Sequence, residues 1–218
     1  MGLNVSKGNM YSWVTHTWNT IKGQCPHDCQ YCYMHKWGKQ KPVRFDHKEM
    51  MTDLEQGHTI FVGSSCDMWA EEIPDPWIAE TLLRCMDFNN TYLFQSKNPR
   101  RFSDFFNHLT TDTKFCTTIE TNRWYPQMGC TPGPKDRALF LREWPFDVYV
   151  TIEPVMDFDV DLLVDIIKIC EPKQVNIGAD SGNNHLPEPS KEKLMQLIEA
   201  LKEFTVIDQK RNLNRLLI

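Results

Sequence analysis

Long apolar runs are missing from this chain: no stretch approaches the ~20 residues that carry a helix across a bilayer, and the amino terminus lacks the charged-then-apolar pattern of a secretory signal. A reducing cytoplasm is therefore the expected compartment, and the eight cysteines read as ligands and buried thiols instead of disulfides. Positive charge is also short. With 24 Lys and Arg against 29 Asp and Glu, the net charge is −5, so the chain as a whole repels phosphate and any nucleic-acid partner needs a local basic surface. There is no internal repeat, no low-complexity linker and no domain boundary, which leaves one domain over 1–218 as the expectation. The hydrophobic fraction of 41% is that of an ordinary globular protein. Met1-Gly2-Leu3-Asn4-Val5-Ser6 fits the N-myristoylation pattern, but no polybasic stretch accompanies it.

What is present is a concentrated run of thiols, Cys25-Pro26-His27-Asp28-Cys29-Gln30-Tyr31-Cys32. The CxxxCxxC spacing can aim three thiolates at one face of an iron–sulfur cube and leave one iron without a protein ligand. Such an open position lets a small molecule be activated at the metal. The alternative is a zinc knuckle in which His27 or His35 joins Cys25, Cys29 and Cys32 in a closed tetrahedral site. No second CxxC pair occurs to support it. Cys85, Cys116 and Cys170 lie among apolar neighbours and read as core.

After the cysteines, β-rich runs alternate with amphipathic stretches every ~25 to 35 residues, the rhythm of βαβ units. Strands are expected at Thr59–Val62, Tyr92–Phe94, Phe115–Ile119, Val148–Ile152, Val175–Ile177 and Phe204–Ile207, with an earlier one near His16 to Ile21. Asp75-Pro76 and Asn98-Pro99 each place a capping side chain before a proline. Phe102, Phe105, Phe106 and Leu109 predict one apolar helix face, and Leu194, Leu197, Ile198 and Leu201 predict another after Ser190. Tyr125 to Pro134 predicts an irregular loop. Six or seven such units are too few to close an eight-stranded barrel, so the fold class is α/β, an open partial (β/α)6 TIM-like barrel.

In parallel βα architectures the ligand site is built at the C-terminal ends of the strands. Polar residues collect there: Gly63-Ser64-Ser65-Cys66-Asp67, Gln95-Ser96-Lys97, Glu120-Thr121-Asn122-Arg123, Glu153-Pro154 and Gly178-Ala179-Asp180-Ser181. Most of these are expected to line one pocket.

The cysteine run, with Tyr31 as the aromatic of CxxxCxΦC, resembles the signature of the radical S-adenosylmethionine (radical SAM) superfamily. That resemblance implies an enzyme with a [4Fe-4S] cluster on Cys25, Cys29 and Cys32. S-adenosylmethionine would be chelated at the fourth iron and cleaved by one electron to a 5′-deoxyadenosyl radical, with a reductant such as flavodoxin or ferredoxin as partner. It also implies cofactor contacts from Tyr31, Gly63, Ser64, Ser65, Ser96, Lys97, Glu120 and Asn122. Gly63-Ser64-Ser65 stands where the superfamily carries GGE and departs from it by lacking the Glu, so a serine or a backbone carbonyl would substitute. The strand ends resemble the spore photoproduct lyase branch, in which a lysine in the place of Lys97 meets the methionine carboxylate. Glu120 falls at the ribose-binding position. Glu153 would bind the cofactor, pair with Arg123 or Lys97, or touch substrate. Cys66, two residues beyond the aligned Ser64, is a candidate hydrogen-atom donor, and Cys130 a weaker one.

Thr17-Trp18-Asn19, Phe61-Val62-Gly63-Ser64 and Phe94-Gln95-Ser96-Lys97-Asn98-Pro99 resemble a little-characterised radical SAM family common in bacteriophages. This directs the substrate expectation to a nucleobase, nucleotide or nucleic acid. Lys36, Lys39, Lys41 and Arg44 around Trp37, together with Arg100, Arg101, Trp69, Trp77, Trp124 and Tyr125, are the candidate contacts. Asp180, Glu153 and Cys66 are expected at the mouth. A peptide or small-metabolite substrate is one alternative, and a non-enzymatic iron–sulfur or zinc module is the other.

Overall fold

β-Branched and aromatic residues fill the sheet, and the connections between them are helical. The computed structural model describes residues 3–218; Gly2 of the acylation pattern lies outside them. The strands are β1 (Asn4–Val5), β2 (His16–Trp18), β3 (Ile21–Lys22), β4 (Arg44–Phe45), β5 (Thr59–Val62), β6 (Thr91–Ser96), β7 (Thr113–Thr118), β8 (Asp147–Ile152), β9 (Gln174–Ile177) and β10 (Val206–Gln209). The α-helices are α1 (His47–Met50), α2 (Asp75–Met86), α3 (Pro134–Leu141), α4 (Val160–Ile169) and α5 (Lys191–Lys202). No helix among the described residues is long and apolar enough to cross a membrane.

One sheet runs β1-β2-β5-β6-β7-β8-β9-β10. Every neighbouring pair from β2 onward is parallel, and β1 closes one edge antiparallel. The edges β1 and β10 do not pair, so the α/β fold is the expected open, partial barrel. Strand residues alternate between two cores, as the period of two requires. Ile60, Phe94, Phe115, Val150 and Ile177 face the helices. Phe61, Leu93 and Cys116 face inward.

What fills the interior is the segment before β2. Tyr11 and Val14 pack on Phe61, Leu93 and Cys116. The Tyr11 hydroxyl meets Gln95 at 2.7 Å and Thr151 at 2.5 Å, and its ring stacks on Trp13 at 5.5 Å. This strap has no helical or strand periodicity and was invisible in the sequence.

Helix α5 forms as its stripe predicts, with Leu194, Leu197, Ile198 and Leu201 buried and the Ser190 hydroxyl accepting from the Lys193 amide. Each such side chain, fully buried, contributes about 1.5–3 kcal/mol. Cys85, Cys116 and Cys170 are buried, as expected.

Four local expectations are corrected. Asp75 does not cap α2, which Pro74 precedes, and pairs with Arg101; Asn98 stands at the N-cap before Pro99 as expected, but its side chain makes no capping bond and donates to the Trp69 carbonyl at 3.1 Å. Pro99–His108 is a 3-10 helix kinked at Phe105. Three residues per turn keep Phe102 and Phe105 on the buried side and turn Phe106 outward. The last strand lies two residues later than expected, and the stretch near 16–21 splits, with β3 leaving the barrel to pair with β4.

Candidate active site

The hairpin of β3 and β4 carries the cysteine run as an excursion that closes on itself, the Gln24 amide donating to the Lys41 carbonyl at 2.8 Å. Within it, Asp28 donates to the Cys25 carbonyl, Cys32 to that of Cys29 and His35 to that of Cys32, at 3.0–3.1 Å. These successive turns bring Cys25, Cys29 and Cys32 around one cavity of about 240 Å3, whose wall Ser65 completes from the end of β5.

The loop from Tyr125 to Pro134 packs against this excursion. Cys130 donates its amide to the His27 carbonyl at 2.8 Å and Gln30 to that of Gln127 at 2.9 Å. The Cys29 thiol reaches the Met128 carbonyl at 3.3 Å. Gly129 permits this approach. Its φ is +69°, and a Cβ there would fall 2.0 Å from the His27 carbonyl oxygen.

Asp67 ties the cysteine run to the strand ends. One carboxylate oxygen accepts from His27 at 2.8 Å, from the Ser96 hydroxyl at 2.9 Å and from the Lys97 amide at 2.9 Å. The other accepts from the Trp69 amide at 2.9 Å. Burial opposes ionisation of Asp67, but the adjacent imidazolium and these donors hold its pKa below the ordinary value. Burial likewise opposes the His27 charge, and Asp67 raises its pKa above the usual one. His27, 4% exposed, is therefore committed to Asp67.

A second chain of charges runs behind Cys29. The Lys97 ammonium lies 3.2 Å from the Cys29 sulfur, 2.8 Å from the Tyr31 hydroxyl and 2.8 Å from the Glu120 carboxylate. Tyr31 donates to the same Glu120 oxygen. Arg137 engages the other oxygen at 2.7 Å, and both Arg137 and Glu120 are 0% exposed. Desolvation alone would raise the Glu120 pKa; the charges of Arg137 and Lys97 overcome it and bring the value down to about 2. Arg137 is held in turn by the carbonyls of Thr118 and Pro132, each at 2.7 Å, and by the Thr131 hydroxyl at 2.6 Å. Nothing in the local sequence marked Arg137.

The predicted residues divide by position. Tyr31, Lys97 and Glu120 come together at Cys29, and Ser65 reaches the cavity wall. Glu120 has both oxygens engaged within the protein and offers neither to the cavity. The Ser64 and Ser65 hydroxyls reach the Asn19 side-chain carbonyl at 3.2 and 3.0 Å. Gly63 gives its amide to the Trp18 carbonyl at 2.9 Å. Ser96 is buried against Asp67, and Asn122 exchanges hydrogen bonds with Asp159 at 3.1 and 2.8 Å. Asp180 accepts from the amides and side chain of its own loop at Gly182 and Asn184.

Glu153 does not pair with Arg123 or Lys97. Its partners are Lys210 at 2.6 Å, Asn212 at 2.8 Å and Asn9 of the strap at 2.7 Å. Arg123 binds Asp157 and Asp159 instead. The strand-end residues thus form separate hydrogen-bond networks.

Cys66 is buried and is not among the residues lining the cavity; interaction with the neighbouring Cys66 thiol lowers the Cys25 pKa below the ordinary thiol value. The sequence places Cys66 thirty-four residues beyond Cys32; folding makes it a neighbour of the run. Trp69 is fully buried and offers no face to a ligand, whereas Trp124 is 63% exposed. Trp77 packs on Phe45 at 5.8 Å. Arg100 pairs with Glu71 and Arg101 with Asp75, so neither guanidinium is free for phosphate. Cys130 is exposed in its loop.

The donor set fits the thiolate ligation of an iron–sulfur cluster. Three thiols line one cavity. A cubane binds its thiolates on separate irons, whereas a zinc knuckle needs them at ~2.3 Å from one point.

No protein-family model and no curated protein sequence matches the chain. Its three-dimensional structure resembles those of spore photoproduct lyase, a radical SAM enzyme. A variant of that enzyme with bound AdoMet and dinucleoside spore photoproduct aligns at TM-score 0.68 and 9% identity, covering 94% of this chain and 80% of that one. Another structure, complexed with dinucleoside spore photoproduct, aligns at TM-score 0.65 and 9% identity over 93% and 78% of the two chains. A second variant gives 0.64 and 10%, over 94% and 79%. At such identity the likeness is one of fold.

Proposed function

We propose that this chain is a radical SAM enzyme whose substrate is a nucleobase, nucleotide or nucleic acid. The observation that carries the reading is the common cavity of Cys25, Cys29 and Cys32 at the strand ends of a partial barrel. The likeness in fold to an enzyme solved with AdoMet and a dinucleoside lesion supports it. Bound there, a [4Fe-4S] cluster and S-adenosylmethionine supply one-electron cleavage of the sulfonium to a 5′-deoxyadenosyl radical.

The chain's own residues hold and insulate that chemistry. The three thiolates are the cluster ligands. Lys97 holds its ammonium beside Cys29, 3.2 Å from the sulfur, from where it would meet the cofactor carboxylate by a charge-assisted bond. Arg137 and Glu120 fix the position of Lys97 and Tyr31. Asp67 and His27 hold the cysteine excursion on β5 and β6. Ser65 and the carbonyls of the Gly63-Ser64-Ser65 turn stand in for the missing GGE carboxylate.

Anaerobic reconstitution tests the reading. With dithionite the protein should convert S-adenosylmethionine to 5′-deoxyadenosine and methionine. Deuterium should pass to 5′-deoxyadenosine from labelled nucleosides, nucleotides or DNA. Transfer only from a peptide or metabolite pool would move the substrate to the alternative class, and a colourless protein holding stoichiometric zinc would end the proposal.

A further inference from the structure

The cysteine cavity adjoins a second and larger recess. This neighbour encloses about 500 Å3, within the range of ligand sites, and Gly23, Met34, Lys39, Gln40 and Ser65 line both spaces. Its wall carries Lys22, Lys39, Lys41 and Arg44 against one carboxylate, Glu49. Glu49 is already occupied, since Lys22 binds it at 2.7 Å and Asp46 at 2.9 Å.

The remaining three cations are free. Among the described residues Lys39, Lys41 and Arg44 pair with no carboxylate. Elsewhere Arg100 is paired with Glu71, Arg123 with Asp157 and Asp159, and Arg215 with Glu188. On a chain of net charge −5, three unneutralised cations in one recess are a local exception that the surrounding field does not favour. Beside them Trp37 also lines the recess with 69% of its surface exposed, and the Lys36 ammonium lies 5.3 Å from its ring centroid.

We propose that this recess is the docking groove for the phosphodiester backbone of a single nucleic-acid strand, with Trp37 as the stacking platform, and that it delivers one nucleotide to the cysteine cavity. The inference rests on the nucleic-acid reading above and gives that reading a location. Phosphates match the unpaired cations, and the indole face matches a base, which an acidic peptide does not supply. The shared lining residues set the groove directly beside the thiols. The acidic remainder of the surface limits contact to a few phosphates, favouring a strand end, loop or extruded nucleotide over a long duplex.

The test is fluorescence anisotropy of a labelled twelve-residue thymidylate strand on the reconstituted full-length protein, across a salt series. Three phosphate contacts give a slope of log K against log salt of about −2, at roughly −0.7 per contact on a single strand. Lys41→Ala/Arg44→Ala should weaken binding about tenfold or more at low salt and reduce the slope by about 1.4. Trp37→Ala should weaken it about tenfold with the slope retained. Lys135→Ala, an exposed charge on α3, should stay within about twofold of wild type as the control for bulk charge.

Undiminished affinity in Lys41→Ala/Arg44→Ala, or equal loss in Lys135→Ala, overturns the groove. So does tighter binding of a polyglutamate peptide at the same residues. The two readings fail separately. Protein that cleaves S-adenosylmethionine but binds no strand keeps the radical chemistry and loses the groove. Protein that binds the strand with this slope and these variant effects, but cleaves no cofactor, keeps the groove and loses the chemistry.

Discussion

Lys97 places its ammonium 3.2 Å from the sulfur of Cys29 while remaining 2.8 Å from the Glu120 carboxylate. Burial disfavours the charge, but Glu120 and the Cys29 sulfur raise the lysine pKa and keep it protonated. A cation donating to a ligand sulfur stabilises the extra electron of a reduced cluster. Lys97→Met should therefore retain its iron while the midpoint potential becomes more negative by about 59 mV or more, tenfold for a one-electron couple. A redox titration followed by electron paramagnetic resonance measures this, and an unchanged potential would detach Lys97 from the cluster.

Iron content separates the three ligands from their neighbour. Anaerobically purified protein should be brown with about four irons per chain. Cys25→Ala, Cys29→Ala and Cys32→Ala should each abolish both properties. Cys66→Ala should keep them, because Cys66 is buried and not in the cavity wall. Colour lost in Cys66→Ala alone would make it a ligand.

The Arg137–Glu120 pair is fully buried, so removing one partner strands a charge. Arg137→Met and Glu120→Gln should each cost about 3–5 kcal/mol in urea denaturation. The double variant should cost less than the sum, because the second change removes the charge that the first left unpaired.

Acid should weaken the same element. The Glu120 pKa is about 2 in the folded protein against roughly 4.3 in an unfolded chain. A depressed carboxylate contributes stability that is fully present above the unfolded value and lost as pH falls toward the folded one. Between about pH 4.3 and 2 the wild type should lose stability more steeply than Glu120→Gln, measured as denaturation midpoint against pH. Parallel curves would count against the assignment.

The strap is secured by Glu153, and Gly178 makes room for that carboxylate. A Cβ on Gly178 would fall 2.6 Å from the nearer Glu153 oxygen. Gly178→Ala should push Glu153 off Asn9 and Lys210, destabilise the fold by about 1–3 kcal/mol, and speed amide exchange across residues 7–14. Exchange confined to the β9 end would place the strap's anchorage elsewhere.

The cysteine spacing, the strand rhythm and the α5 stripe were legible because each is a short-range pattern. A thiol run works through turns three residues apart, and apolar periodicity reports which face a strand or helix must bury. The 3-10 segment at Pro99–His108 defeated that reading, since a stripe of four fits an α-helix and a tighter coil nearly equally until packing selects one.

By itself the sequence determined the open α/β barrel and the three thiols on one loop. Tertiary structure decided which charges meet. Glu120 and Arg137 are 17 residues apart, Lys97 and Cys29 68, and Asn9 and Glu153 144. No local periodicity encodes such pairs, because a strand end presents its carboxylate to whichever cation the neighbouring parallel strands and their loops bring within reach. That is why Lys97, Tyr31 and Glu120 gathered at Cys29 while Asn122, Glu153 and Asp180 were drawn into networks of their own.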